Sequence, residues 1–404
     1  MATASTIPDP LTGFRRLETV FLLGLLTVFA PLSIDMYLPA LPALQLYFKA
    51  TEGAIQLTLA SFFVGFSLGQ TLYGPLADRF GRKPPLYAGM LVFTLASGAC
   101  AFATSVQMLT AFRLLQSLGA CAGSVISRAM VRDLFPPEET RRVYSALILV
   151  MGVSPLAAPL LGAYLLTWLG WKSIFLSVML VGALATVGLH FRLPESLPAA
   201  RPLSFSYIFV TYRGLLRDRF FLGASLATGF SSAGMFAYIA GAPFVFINLF
   251  GVKPERFGWF FAVNAAAIVI GAQINGRVLH GHAPEKLMRI AALVQAIAGM
   301  LLIAATRFSP TSLASVAIPL FLYLATIGFV FPNAVAIALA NHGEVAGMAS
   351  ALLGTIQFSM AAIATLALGA IDSTTARPMA AMICGCGVLG VVTHLLLMRE
   401  KEMR

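Results

Sequence analysis

Apolar residues run along this chain in long stretches separated by short polar turns. About twenty apolar residues make a helix long enough to cross the hydrocarbon of a bilayer. Runs of that kind fall at 18–38, 54–76, 86–104, 107–130, 142–166 and 171–191, and again at 219–248, 257–279, 287–305, 312–339, 346–370 and 377–397. The pattern predicts an all-α membrane protein of twelve transmembrane helices in two pseudo-symmetric six-helix bundles. Residues 192–218 form the longest polar interval, with Pro194, Pro198, Pro202, Arg201, Arg213 and Arg217. The expected organisation is therefore a leader over 1–17, a bundle over 18–191, a linker over 192–218, a second bundle over 219–397 and a tail over 398–404.

Composition supports lipid as the solvent. The 404 residues are 59% hydrophobic and only 11% charged, with a mean hydropathy of +0.87, too apolar for soluble cores to absorb. A net charge of +11 would suggest nucleic acid in a soluble protein. Here the basic residues sit in the turns, as the positive-inside rule requires, and no nucleic-acid partner is expected. Lys49, Lys172, Lys253, Arg256, Arg307 and Arg377 fall in turns on one side and Arg113 falls within a run, while the remaining lysines and arginines fall in turns on the other side. That asymmetry places both termini in the cytoplasm.

Residues 1–17 lack a small-residue cleavage site after them and read as a cytoplasmic leader into a retained helix. Cys100, Cys121, Cys384 and Cys386 lie in apolar runs without metal or redox spacing, and the five histidines scatter near helix ends. No metal and no cofactor are expected. Clustered interfacial carboxylates of a membrane enzyme and the repeated charged rings of a channel are not apparent in the sequence, which leaves a carrier built of two related halves, expected to be a monomer.

Two ionisable residues fall well inside predicted spans, Asp35 in the first and Arg113 in the fourth. Each is costly at depth unless paired or hydrated, and loop counting puts them at similar depth in the outer half. One reading is a structural ion pair. In the other, Asp35 is the proton acceptor facing a central cavity and Arg113 holds it ionised. Arg128, Arg132 and Asp133, near the cytoplasmic end of the fourth span, are expected to snorkel or latch. The second half lacks charge at depth and is rich in aromatics and amides, so Met235, Phe236, Tyr238, Asn264, Gln357 and Phe358, with Tyr37 and Gln116 from the first half, are candidate walls of an apolar cavity.

The turn after the second span reads Gly74-Pro-Leu-Ala-Asp78-Arg79-Phe-Gly81-Arg82-Lys83. It resembles the loop signature of the major facilitator superfamily, which implies a cytoplasmic gate at Gly74, Asp78, Arg79, Gly81, Arg82 and Lys83. Gly74 is expected where a helix end approaches another backbone. Asp78 is expected to accept from the N-terminus of the eleventh span, near Gly347, across the interface between halves. The fifth span carries Gly152, Pro155, Pro159 and Gly162, similar to the antiporter signature of drug exporters though with Ala158-Pro159 and Gly162-Ala163 in place of the usual Gly-Pro and Gly-Gly. Its prolines predict a kink, and its small residues predict close contact with a helix of the other half.

Leu32-Ser-Ile-Asp35-Met-Tyr37, Gly229-Phe-Ser-Ser-Ala-Gly-Met-Phe236 and Gly347-Met-Ala-Ser-Ala-Leu-Leu-Gly354 resemble the bicyclomycin and chloramphenicol resistance (Bcr/CflA) group of that superfamily. The resemblance implies a proton-driven exporter of small-molecule drugs in the bacterial inner membrane, with Asp35 and Arg113 in the coupling positions. An exporter or facilitator of a physiological metabolite, such as an amino-acid derivative, is the alternative.

Overall fold

The computed structural model describes residues 13–197, 205–279, 281–309, 312–371 and 375–398. Most of the expected leader, the middle of the linker and nearly all of the tail lie outside the described residues. The helices are α1 (Gly13–Asp35), α2 (Leu41–Phe48), α3 (Glu52–Phe80), α4 (Lys83–Ala101), α5 (Val106–Leu134), α6 (Pro137–Leu169), α7 (Trp171–Arg192), α8 (Phe205–Arg217), α9 (Arg219–Pro243), α10 (Pro254–Arg277), α11 (Pro284–Phe308), α12 (Leu313–Ala340), α13 (Ala346–Gly369) and α14 (Arg377–Leu397). Twelve stretches among the described residues are long and apolar enough to cross a membrane. The protein is a multi-pass membrane protein.

Local chemistry sets the helix ends. Thr51, Ser105, Ser312 and Asp218 each accept from a backbone N–H in the first turn of the helix that follows, satisfying donors a helix cannot satisfy itself. Gly81 and Gly170 lie at φ 89° and 78°, where a side chain would be strained. The first span is not one continuous helix. α1 ends at Asp35, a short 3-10 turn covers Leu38–Ala40, and α2 restarts at Leu41 with Pro42 in its first turn.

The linker is also more ordered than its prolines suggest, because Phe205–Arg217 forms α8. Leu215 of α8 is buried, while Phe209, Val210 and Leu216 are exposed.

Within the first half α5 packs between α3 and α4, and α1 packs on α5 and α6; in the second, α9 packs between α13 and α14, and α11 on α12 and α14. The halves meet through α3 against α13 and α6 against α10. One face of the bundle carries the linker; the opposite, far face carries α2 and the turns at 102–105 and 170.

At the far face the halves touch closely. A Cβ on Gly53 would strike the Gly369 carbonyl, and one on Gly258 would lie 2.7 Å from the Leu160 side chain. The Thr167 hydroxyl donates to Glu255 at 2.9 Å across the same seam. Toward the linker face, by contrast, nothing lies within 4 Å of a Cβ placed on Gly74, Gly152 or Gly347. The expected close approach at Gly74 is thus not found. In the fifth span the close contact with the other half is made by Leu160, against a glycine on α10, while Gly162 lies against the Met36 backbone of its own half.

Candidate substrate and proton site

A cavity of about 470 Å³ lies between the halves. It reaches from Asp35 and Phe261 at its closed end to Arg128, Leu339 and Ser350 toward the linker face, so it opens on that side. Helical spacing aims the lining from both halves. From the first come Ile34, Asp35, Phe66, Gln70 and Pro155, and from the second Met235, Phe236, Tyr238, Asn264, Gln357 and Phe358.

The closed end is an aromatic plug shared by the halves. The Phe63 ring lies 4.3 Å from Phe236, and Phe66 lies 4.5 Å from Phe358. Such pairs add roughly 0.5–1.5 kcal/mol each beyond area burial. Below them the Ser67 hydroxyl meets Ser359 at 2.8 Å and the Thr355 carbonyl at 3.1 Å. Polar groups in the wall are few and oriented: Asn264 donates to the Tyr238 hydroxyl at 2.9 Å, and Tyr238 stacks on Phe261.

Asp35 is 4% exposed, and its Oδ2 is buried without a hydrogen-bond partner. Arg113 lies elsewhere. It is fully buried in the first half, outside the cavity wall, and among the described residues no ion pair joins it to Asp35. Its guanidinium lies between the rings of Tyr37 and Phe62, at 4.5 and 4.4 Å, and donates to the Ser33 carbonyl at 3.0 Å and to Gln116 Oε1 at 2.7 Å. Aromatic faces and a carbonyl replace the expected carboxylate as its counter-charge.

Tyr37 and Gln116 are drawn into the same arrangement and do not line the cavity. The Tyr37 hydroxyl bonds Thr58 at 2.6 Å, and Gln116 donates to Ser97 at 2.8 Å. By holding the Ser33 carbonyl, two residues before Asp35, Arg113 fixes the end of α1 on which Asp35 sits.

Of the candidate gate residues, Arg82 is the hub. Its guanidinium donates to Asp78 and to Asp133, both at 2.7 Å, and Asp133 also accepts from the Ser196 hydroxyl. Arg79 lies over the Phe80 ring and Lys83 over that of Tyr87. Asp78 therefore bonds within its own half rather than with the start of α13, on the open side of the molecule.

The N-terminus of α4 is capped instead by Glu195, from the first residues of the linker, which accepts from the N–H groups of Arg82 and Lys83 at 2.8 and 2.9 Å. Gly81 leaves the space, since a Cβ there would lie 2.9 Å from that carboxylate. Burial alone would raise the Glu195 carboxyl, but the N–H groups of Lys83, Leu197, Arg82 and Ser196 outweigh it and hold it below the ordinary carboxylate range. Sequence reading missed this cap because its partners lie more than a hundred residues away.

Pro155 lines the cavity, while Gly152 borders open space. Arg128, expected to snorkel, lines the open half of the cavity.

A model of the Major Facilitator Superfamily matches residues 23–365. An uncharacterized MFS-type transporter of Bacillus subtilis, YdgK, is 37% identical over 96% of this chain and 98% of its own length. A bicyclomycin resistance protein homolog of Haemophilus influenzae is 31% identical over 94% of this chain and 95% of its own. Among solved structures, a D-xylose-proton symporter superposes with a TM-score of 0.75 at 16% identity, covering 95% of this chain and 97% of the other.

Proposed function

The chain belongs to the Major Facilitator Superfamily, as a transporter of its drug-resistance type, and from that premise we propose that it exports lipophilic or amphipathic small molecules across the bacterial inner membrane in exchange for protons. The observation that carries the reading is the unpartnered Oδ2 of Asp35 at the closed end of a largely apolar, aromatic-walled cavity. An ionised group there is costly, and binding a proton removes the cost. A substrate with an apolar body gains by leaving water for Phe66, Phe236 and Phe358.

With the linker face toward the cytoplasm, as its basic loops suggest, the state described here is open inward. The two halves, 18–191 and 219–397, rock about the cavity so that the far-face contacts part and the linker face closes. Drug enters from the cytoplasm. After the switch Asp35 takes a proton from outside as the drug leaves, and the return movement delivers that proton to the cytoplasm. Arg113 acts as a positioning residue through the Ser33 carbonyl. Asp78 controls closure of the linker face, its bond to Arg82 holding it ready for the start of α13 when the halves approach. A monomer suffices for the cycle.

The test is transport in everted vesicles with an acid lumen. Adding an exported drug should release lumenal protons as the drug accumulates. Drug movement without any pH change would make the protein an uncoupled facilitator, and no movement across a panel of drugs and amino-acid-like metabolites would refute export of this class.

A further inference from the structure

Arg128 points into the cavity, against the direction a membrane-end arginine usually takes. α5 runs from the far face toward the linker face, so a side chain seeking the interface would extend forward along the helix. Instead Arg128 Nε donates to the Ser124 carbonyl, one turn back, at 3.0 Å. Its own carbonyl accepts from the Tyr144 hydroxyl at 2.7 Å, tying this turn to α6.

The guanidinium has no carboxylate partner among the described residues. Asp133 is engaged by Arg82 at 2.7 Å and Glu139 by Arg16 at 2.8 Å. The nearby wall is Ser124, and that of the second half Ser350, Leu353, Val335 and Leu339, which offer hydroxyls and hydrocarbon but no anion. The side chain is exposed in the open half of the cavity, so its fork is free to meet a solute there, and the fork fits a carboxylate, sulfonate or phosphate with two parallel hydrogen bonds.

We infer that Arg128 is an anion-binding subsite, taking the acidic group of an amphipathic substrate whose apolar body lies against Phe66, Phe236 and Phe358. The inference rests on the cavity being the substrate site. It narrows the cargo to apolar molecules bearing an oxyanion, at the opposite end of the cavity from Asp35, and it places lipophilic cations at a disadvantage as they enter.

The test is binding of two fluorescent probes, dansylglycine and its neutral amide, to the purified full-length protein. They share one apolar body and differ in the acidic group. A charge-assisted, two-point contact should make the acid bind about ten-fold tighter or more than the amide. Arg128→Gln should bring the two affinities together by weakening the acid alone, and Arg128→Lys should keep part of the difference. Equal affinities in the unmodified protein would overturn the inference without any variant having to fold, and so would Arg128→Gln weakening both probes alike. If the amide binds and the acid gains nothing, the Arg128 subsite fails while the cavity reading stands. If neither probe binds, both fail.

Discussion

Replacing Gly53 by valine should drive the protein away from the state that is closed at the far face. Gly53 opens α3, and a Cβ there would fall on the Gly369 carbonyl at the end of α13, with the carbonyl carbon only 3.0 Å away. Both partners are backbone, so no rotamer change relieves the overlap, and α3 must move away from α13 toward the usual contact of about 3.5–4.0 Å. Overpacking of this kind costs about 1–3 kcal/mol. The cost falls only on the state in which these ends touch, so the equilibrium should shift toward far-face opening by about 5- to 150-fold.

Cysteine alkylation by a membrane-impermeant maleimide reads the shift. Ser67→Cys, on the seam with Ser359, should react faster from the far face when Gly53→Val is added, and Ser350→Cys, in the open half of the cavity, should react more slowly from the linker face. The four native cysteines are buried and provide the background. A folded Gly53→Val protein with both rates unchanged would show that the far-face contact does not distinguish the two states.

Gln116→Leu removes one acceptor of the buried Arg113 guanidinium, and should lower stability in detergent by about 1–3 kcal/mol while leaving drug affinity unchanged, because Gln116 lies outside the cavity. Weaker drug binding with unchanged melting would contradict that placement. Glu195→Gln should cost about 1 kcal/mol, the usual worth of a helix cap, seen as a lower melting temperature at neutral pH. Because the folded Glu195 carboxyl is held below its ordinary value, the cap's contribution is present above the unfolded carboxylate's pKa of about 4.3 and is lost as pH falls through the lower folded value. The gap between unmodified protein and Glu195→Gln should therefore close in acid, and a gap that widens there would refute the assignment.

The twelve spans were legible because lipid leaves the backbone few alternatives to long helices, and their apolar runs are visible in the chain. The second-half wall was legible for a similar reason: Phe236, Tyr238, Asn264 and Phe358 are aromatic or amide groups in spans without charge. What the sequence hid was direction. Loop counting puts Asp35 and Arg113 at similar depth, but Arg113 faces Tyr37 and Phe62, and loop counting carries no information about which way a helix face turns. Tyr37 and Gln116 follow Arg113 for that reason. Arg128 hid as an ordinary helix-end arginine, since only the bond to Ser124 reveals which way it bends. α8 was concealed by the prolines around it, and the Glu195 cap by its distance along the chain.

The central claim is that Asp35 carries the proton, and Asp35→Asn tests it most directly in proteoliposomes with an imposed pH gradient. Asparagine keeps the size and polarity of the side chain but cannot titrate. The account predicts that uphill drug accumulation and drug-induced proton movement are both lost, while exchange of labelled for unlabelled drug across the same membrane continues. Full gradient-driven accumulation by Asp35→Asn would contradict it and place the proton elsewhere.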